Sequence, residues 1–110
     1  MPFFDTVVID ERKLVIYCLS DLHPRGRDKA RVFRSRLGLT AADSTFLRAS
    51  LLQAAQSRPQ DLRRRGDNQY GQHYMLDFEM TTPAGEAMVR SIWIVRPNET
   101  ALRLVSCFVR

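Results

Sequence analysis

The chain has 110 residues, 45% of them apolar and 26% charged, with a net charge of +5. This is the size and composition of one soluble globule, residues 1–110 forming a single domain, and it excludes a disordered segment or an array of separate catalytic and regulatory domains. No stretch approaches the roughly 18 apolar residues of a membrane helix and no signal sequence opens the chain, so a cytoplasmic protein without a membrane partner is expected.

The charge is uneven. Residues 1–22 hold two basic and four acidic residues, residues 23–66 eleven basic and three acidic, and residues 67–110 four basic and five acidic. A field focused on one segment steers polyanions, which points to nucleic acid, a nucleotide or an acidic protein as the partner. Solvated arginines on an ordinary helix surface are the competing explanation.

In chain order, Val7-Val8-Ile9 is a short β-branched run, and Asp10 can cap a helical turn in which Leu14, Tyr17 and Cys18 share a face. A strand over Leu14 to Leu19 is the alternative. Ser20 to Asp28 reads as a loop, because Pro24 restrains His23 to extended geometry and Gly26 permits a positive φ. Asp28 then caps a helix carrying Ala30, Phe33 and Leu37 on one face and Lys29, Arg31, Arg34 and Arg36 on the others, ended by Gly38. Thr40 to Asp43 resembles a capping box, followed by an amphipathic helix through Phe46, Leu47, Leu51, Ala54 and Ala55 that ends near Ser57.

Arg58 to Asn68 is polar, interrupted by proline and rich in arginine, which predicts a mobile surface loop. Beyond it the period is two. Strands are expected over Tyr70 to Met80, Ala87 to Arg96 and Leu102 to Val109, with turns at Pro83-Ala84-Gly85 and Pro97-Asn98. The pattern predicts an α+β domain in which N-terminal helices pack on one face of a C-terminal antiparallel sheet of at least three strands.

The sharpest cluster is His23-Pro24-Arg25-Gly26-Arg27-Asp28-Lys29. A glycine-permitted turn entering a helix N-terminus offers free N–H groups and a partial positive charge, and Arg25, Arg27 and Lys29 surround it. The spacing is neither that of a P-loop nor that of a dinucleotide fingerprint. His23 titrates near neutrality and suits proton transfer from a ribose 2′-hydroxyl or to a departing 5′-oxygen, while arginine and lysine meet the developing charge on phosphorus-bound oxygens. The bland alternative for His23 is a loop histidine bonded to backbone. For His73 it is a solvent-side strand residue, set against a place in the RNA-binding surface.

Tyr70 can stack on a base or bond a phosphate, or serve as core. Arg90 and Trp93 alternate to opposite faces. Trp93 is read as core, with Ser91 on the solvent side. The acidic residues do not cluster as a metal centre requires, no GxSxG elbow is present, and neither metal nor cofactor is expected. Cys18 and Cys107 read as buried reduced thiols.

Leu19, His23-Pro24, Gly26-Arg27, Lys29-Ala30, Phe33, Leu37-Gly38, Tyr70-Gly71 and Ile92-Trp93-Ile94-Val95 together resemble an uncharacterised bacterial domain family, found at the C-termini of polymorphic toxins and as a stand-alone protein beside a small antitoxin. The resemblance spans about residues 9 to 108. Helices followed by an antiparallel sheet are also similar to the fold of barnase, EndoU, cytotoxic colicins and RelE-type toxins, which are metal-independent ribonucleases; this second step is fold analogy.

The resemblance implies site residues at His23, Arg27, Lys29 and Tyr70, with Trp93 as a structural marker. The family's last strand carries a threonine, an aromatic and a proline, where this chain reads Ser106-Cys107-Phe108-Val109. A hydroxyl is kept at Ser106 and the proline is absent. The reading that follows is a ribonuclease-like toxin with His23, Lys29 and Tyr70 as catalytic groups, and with Arg25, Arg27, Arg31, His73, Arg90 and Ser106 holding phosphate or RNA. Its partners would be an RNA substrate and a small acidic antitoxin or immunity protein. A non-catalytic module binding nucleic acid or an acidic protein through the same patch is the alternative.

Overall fold

The computed structural model describes residues 4–19 and 27–110. Thr6–Val8 forms β1, whose β-branched residues suit an extended chain. A short helical turn, α1 (Glu11–Lys13), follows, with the Asp10 carboxylate accepting the Arg12 backbone N–H. It widens into one π-helical turn over Leu14–Cys18, closed by Leu19 N–H donating to Leu14 O at 2.8 Å. The strand alternative for this stretch is therefore excluded.

α2 (Arg27–Leu37) starts one residue before the expected cap, so Asp28 sits inside the first turn, where a carboxylate still opposes the helix dipole. The predicted box before α3 (Ser44–Ser57) is present: Thr40 N–H donates to Asp43 Oδ2 at 2.9 Å.

The expected loop over Arg58 to Asn68 is a correction. Pro59–Asp61 is a single 3₁₀ turn and Arg63–Asn68 is strand β2, paired antiparallel with β3. All six β2 residues are exposed. An edge strand with neither face buried has no apolar alternation to announce it, which is why composition alone suggested a loop.

β3 (Gly71–Thr82), β4 (Gly85–Val95) and β5 (Ala101–Val109) form the expected meander. Pro83 and Ala84 make a two-residue connection between the paired Thr82 and Gly85. The second turn has Pro97 at its first central position and Asn98, with φ of 65°, at its second, and Glu99 N–H closes it on Arg96 O at 3.1 Å. That is type II chemistry.

The sheet has five strands in the order β1-β5-β4-β3-β2. Over the described residues the architecture is α+β, with three helices and a mixed sheet. The expectation of a purely C-terminal antiparallel sheet is corrected: β1, from the N-terminus, pairs parallel with β5 through Thr6↔Ala101, Val7↔Leu102 and Val8↔Arg103. A three-residue strand seals little of that edge, and its ladder stops at Arg103.

The core joins Phe33 and Leu37 of α2, Leu47 and Leu51 of α3, Leu14 and Cys18, and alternate sheet residues: Leu76 and Phe78 on β3, Val89 and Trp93 on β4, Leu102, Leu104 and Cys107 on β5. Burying side chains of this size contributes about 1.5–3 kcal/mol each. Ser91 is the third correction. It is fully buried beside Trp93, because residues two apart on a strand share a face. Its hydroxyl accepts Trp93 Nε1–H at 2.8 Å and donates to Leu76 O at 2.7 Å.

Candidate functional site

Pairing across the strands sorts the other set of residues. Met75 faces Ile92, which faces Ser106, and Asp77 faces Arg90, which faces Phe108. His73, Met75, Asp77, Arg90, Ile92, Ser106 and Phe108 therefore occupy the sheet surface opposite Trp93 and Ser91. Between Ile92 and Trp93 the register with β5 slips, leaving Val105 as the extra residue of a bulge. A bulge re-aims the side chains that follow it.

Lys29 meets this surface at its border. The β1 ladder ends at Arg103, so the later part of β5 has no β1 partner. Lys29 Nζ donates to Ser106 Oγ there at 2.9 Å and lies 5.3 Å from the centre of the Phe108 ring. A cation on an aromatic face is worth about 0.5–1 kcal/mol where partly exposed, and an ammonium has three hydrogens to donate, one of which goes to Ser106. Lys13 continues the trim of this edge by donating to Leu104 O at 3.4 Å.

Behind the lysine lies a thiol pair. Cys18 ends the π-helical turn and is 1% exposed; Cys107 precedes Phe108 and is fully buried. The hydrogen bond from the Cys107 thiol pulls the Cys18 thiol down to about 7 against the opposing effect of burial, helped by the Cys107 backbone N–H, the Lys29 charge and the Ser106 hydroxyl. The Cys107 thiol is pushed up, by that same hydrogen bond first and then by burial and the neighbouring Cys18 charge.

Of the sequence-predicted residues, Lys29 and Ser106 are thus brought into direct contact. His73 and Arg90 lie on the same sheet surface; from strand spacing their backbones are about 12 Å and about 8 Å from Ser106. His73 Nε2 is 3.2 Å from Asn68 Oδ1. The Arg90 guanidinium is held bidentately by Asp77 at 2.9 and 3.0 Å. Asp77 also accepts from Arg110 at 3.0 Å, and these arginines, Arg90 foremost, hold its carboxyl below the usual range.

A cleft of about 480 Å³ opens beside them, lined by Gln60, Asp61, Arg63, Met75, Asp77, Arg90 and Arg110. Three guanidinium groups there face two carboxylates, so most of the positive charge is already answered.

Tyr70 is 65% exposed in the β2–β3 turn, its N–H bonded to Asn68 Oδ1 at 2.8 Å. Strand spacing puts its backbone roughly 19 Å from Ser106, so it does not share a constellation with Lys29. Arg31 is exposed on α2. Arg27 is the first residue of α2, described by its backbone alone. His23 and Arg25 lie outside the described residues.

Phe108 and the Asp77 tether were not singled out from the sequence. The i, i+2 spacing of Ser106 and Phe108 signals a shared face, but nothing local announces that Lys29 reaches them. Among the described residues no group of three or more His, Cys, Asp or Glu could hold a metal ion, and no helix is long and apolar enough to cross a membrane.

A small α+β sheet protein whose border carries one lysine–serine–aromatic contact is the class these features define. The chain belongs to the DUF6883 family, described as a domain of unknown function, whose profile matches residues 1–110. Among solved structures it is similar to a chain of the contact-dependent growth inhibition toxin - immunity protein complex from Klebsiella pneumoniae 342. The TM-score is 0.66 at 14% identity, over 94% of this chain and 99% of that one. At this identity the likeness establishes the shared fold. No curated protein matches the sequence.

Proposed function

We propose that the chain is a ribonuclease-like toxin domain that cleaves RNA by attack of a ribose 2′-hydroxyl on the adjacent phosphodiester, without a metal. The observation that carries this reading is the Lys29–Ser106 contact on the border of the open sheet surface, with Phe108 beneath the lysine. Lys29 supplies charge to the phosphoryl oxygens as they become more negative, and Ser106 directs the ammonium and offers its hydroxyl to the same group. Phe108 gives a base or sugar an apolar platform.

His23, six residues before Lys29, is the proton-transfer group in this reading, with Arg25 and Arg27 as phosphate clamps. His73 and Arg90 line the surface along which the RNA runs. Arg31 extends the positive field, and Tyr70 acts only on an RNA long enough to reach its corner. The sheet surface that carries His73, Arg90 and Ser106 is the substrate side in this reading.

The likeness to a toxin–immunity complex supports the toxin reading at the level of fold, and the net charge of +5 supports the toxin's side of such a pair, because a partner that blocks a basic substrate surface is best acidic. The cell that carries the chain then needs a small acidic immunity or antitoxin protein.

The deciding experiment is RNA degradation by the purified protein in excess chelator. Wild-type protein is expected to cleave. Lys29→Ala is expected to lose about 10²-fold or more of the rate with its thermal unfolding little changed, and His23→Ala a comparable amount. Full activity in both variants removes these assignments. Growth arrest on expression, relieved by an acidic partner, is the cellular counterpart.

A further inference from the structure

The cleft beside Asp77 holds one carboxylate and one guanidinium that the fold leaves without partners. Arg90 and Arg110 both donate to Asp77. Among the described residues, the side chains of Asp61 and Arg63 have no hydrogen-bond or ion-pair partner, although both line this cleft of about 480 Å³. We propose that the cleft reads a guanine base of single-stranded RNA: the Asp61 carboxylate accepts from N1–H and N2–H, the Arg63 guanidinium donates to O6 and N7, and Met75 is the floor. The inference rests on the RNA-substrate reading above and names the base which that surface selects.

Local backbone geometry brings the two groups to one side. Asp61 ends the 3₁₀ turn and Arg63 opens β2, and between them Leu62 is extended, with φ of −65° and ψ of 124°, and buried. Successive side chains of an extended chain point to opposite sides, so with Leu62 turned into the core Asp61 and Arg63 turn outward together. Their backbones are about 6.6 Å apart at strand rise, comparable with the width of a purine between its Watson–Crick and Hoogsteen edges. Arg63 faces Met75 across the β2–β3 pair and so shares the sheet surface with Ile92 and Ser106. Three strand spacings, about 14 Å, separate it from Ser106, a distance that a short oligonucleotide spans.

The donors and acceptors of the cleft select the base. Three guanidinium groups against two carboxylates leave little charge for a phosphate, whereas a base edge needs both kinds of group. Guanine presents two adjacent donors, N1–H and N2–H, which match the two oxygens of a carboxylate, and two adjacent acceptors, O6 and N7, which match a guanidinium fork. Adenine sets its amino group between two acceptors and turns the lone pair of N1 toward the carboxylate. Uracil and cytosine have no N7. Met75 is half-buried, and its polarizable thioether suits the face of a base.

The test measures binding of 2′-O-methylated oligouridylates, which have no 2′-hydroxyl to attack, to the purified chain at fixed salt. Each carries one guanosine, adenosine, inosine or 7-deazaguanosine. The guanosine oligomer is expected to bind more tightly than the adenosine one by roughly 10- to 100-fold. Inosine, lacking the 2-amino group, and 7-deazaguanosine, lacking N7, should fall between them. Asp61→Asn should abolish the preference with thermal unfolding unchanged, since Asp61 is exposed. Arg63→Lys should lower it at unchanged net charge, because the ammonium has no fork. Equal affinity for the guanosine and adenosine oligomers, or a preference that survives Asp61→Asn, would overturn the proposal. Binding is read without cleavage, so the two readings fail separately: guanosine preference in a chain that degrades no RNA removes the ribonuclease alone, and RNA degradation without the preference removes the base site alone.

Discussion

Ser91 shows how one hydroxyl can be essential in an otherwise apolar layer. Trp93 fills the centre of the core and must bury its indole N–H; Ser91 Oγ accepts it and donates its own hydroxyl hydrogen bond to Leu76 O. Both polar groups are satisfied, so the relay costs little, but removing its middle member strands a donor and an acceptor at once. Ser91→Ala is expected to lower unfolding stability by about 1–3 kcal/mol in denaturant titration. The double variant with Trp93→Phe should lose less than the sum of the two single changes, since the phenyl ring brings no donor to strand. Additive losses would argue against the relay. The residue scale also holds the clearest misreading from sequence: Trp93 was identifiable as core, but the parity that places Ser91 beside it was read the wrong way round, and a serine flanked by arginine and isoleucine gave no compositional warning.

Elements meet one another through turns that carry positive φ. Gly38 ends α2 at φ of 68°, and the Pro83-Ala84 connection packs against that end: Thr82 Oγ1 donates to Leu37 O at 2.8 Å, and a Cβ on Gly38 would fall 2.8 Å from the Ala84 methyl. Gly71 opens β3 at φ of 139°, where a Cβ would fall 2.3 Å from Val95 O. A methyl group can yield by a small shift of its turn, whereas a carbonyl locked in a sheet cannot. Both substitutions by alanine should destabilise, Gly38→Ala by about 1–2 kcal/mol from its left-handed backbone and Gly71→Ala by more. Thermal unfolding of the two variants side by side gives the order, and equal losses would show that the backbone angle rather than the contact sets the cost.

Most elements were legible because each carries its own local signal. The Thr40–Asp43 box, the 3.6-residue period of α2 and α3, the alternation of β3 to β5 and the Pro97-Asn98 turn are all properties of neighbouring residues. β2 was not legible, since Arg63 to Asn68 has no buried face and hence no period.

The whole molecule carries a mixed five-stranded sheet on which several arginines are answered by neighbouring carboxylates. Of the arginines on or beside the open surface, Arg90 and Arg110 share Asp77, Arg103 is paired with Glu99 and Arg64 with Asp67. Only Arg64 of these belongs to the 23–66 segment, whose eleven basic residues carry the chain's excess of positive charge. Binding of single-stranded RNA should weaken linearly in log–log form as salt rises, with a slope of about −0.7 for each phosphate neutralised. Lys29→Ala should reduce that slope by about one phosphate, while Arg103→Ala, whose charge Glu99 answers, should change it little. An unchanged slope in Lys29→Ala would remove the lysine from the binding surface.

The sequence by itself determined the helices α2 and α3, the strands from β3 onward, most of the apolar core, and that the basic entrance of α2 carries the excess charge; these follow from spacing and composition over a few neighbouring residues. Only the tertiary structure decided that β1 returns to lie parallel with β5, that Arg90 is bound by Asp77, and that Lys29 rests on Ser106, 77 positions away. Such contacts depend on how the sheet closes and where its edge ladder stops at Arg103, and neither distance nor partner is written in the local pattern of either residue.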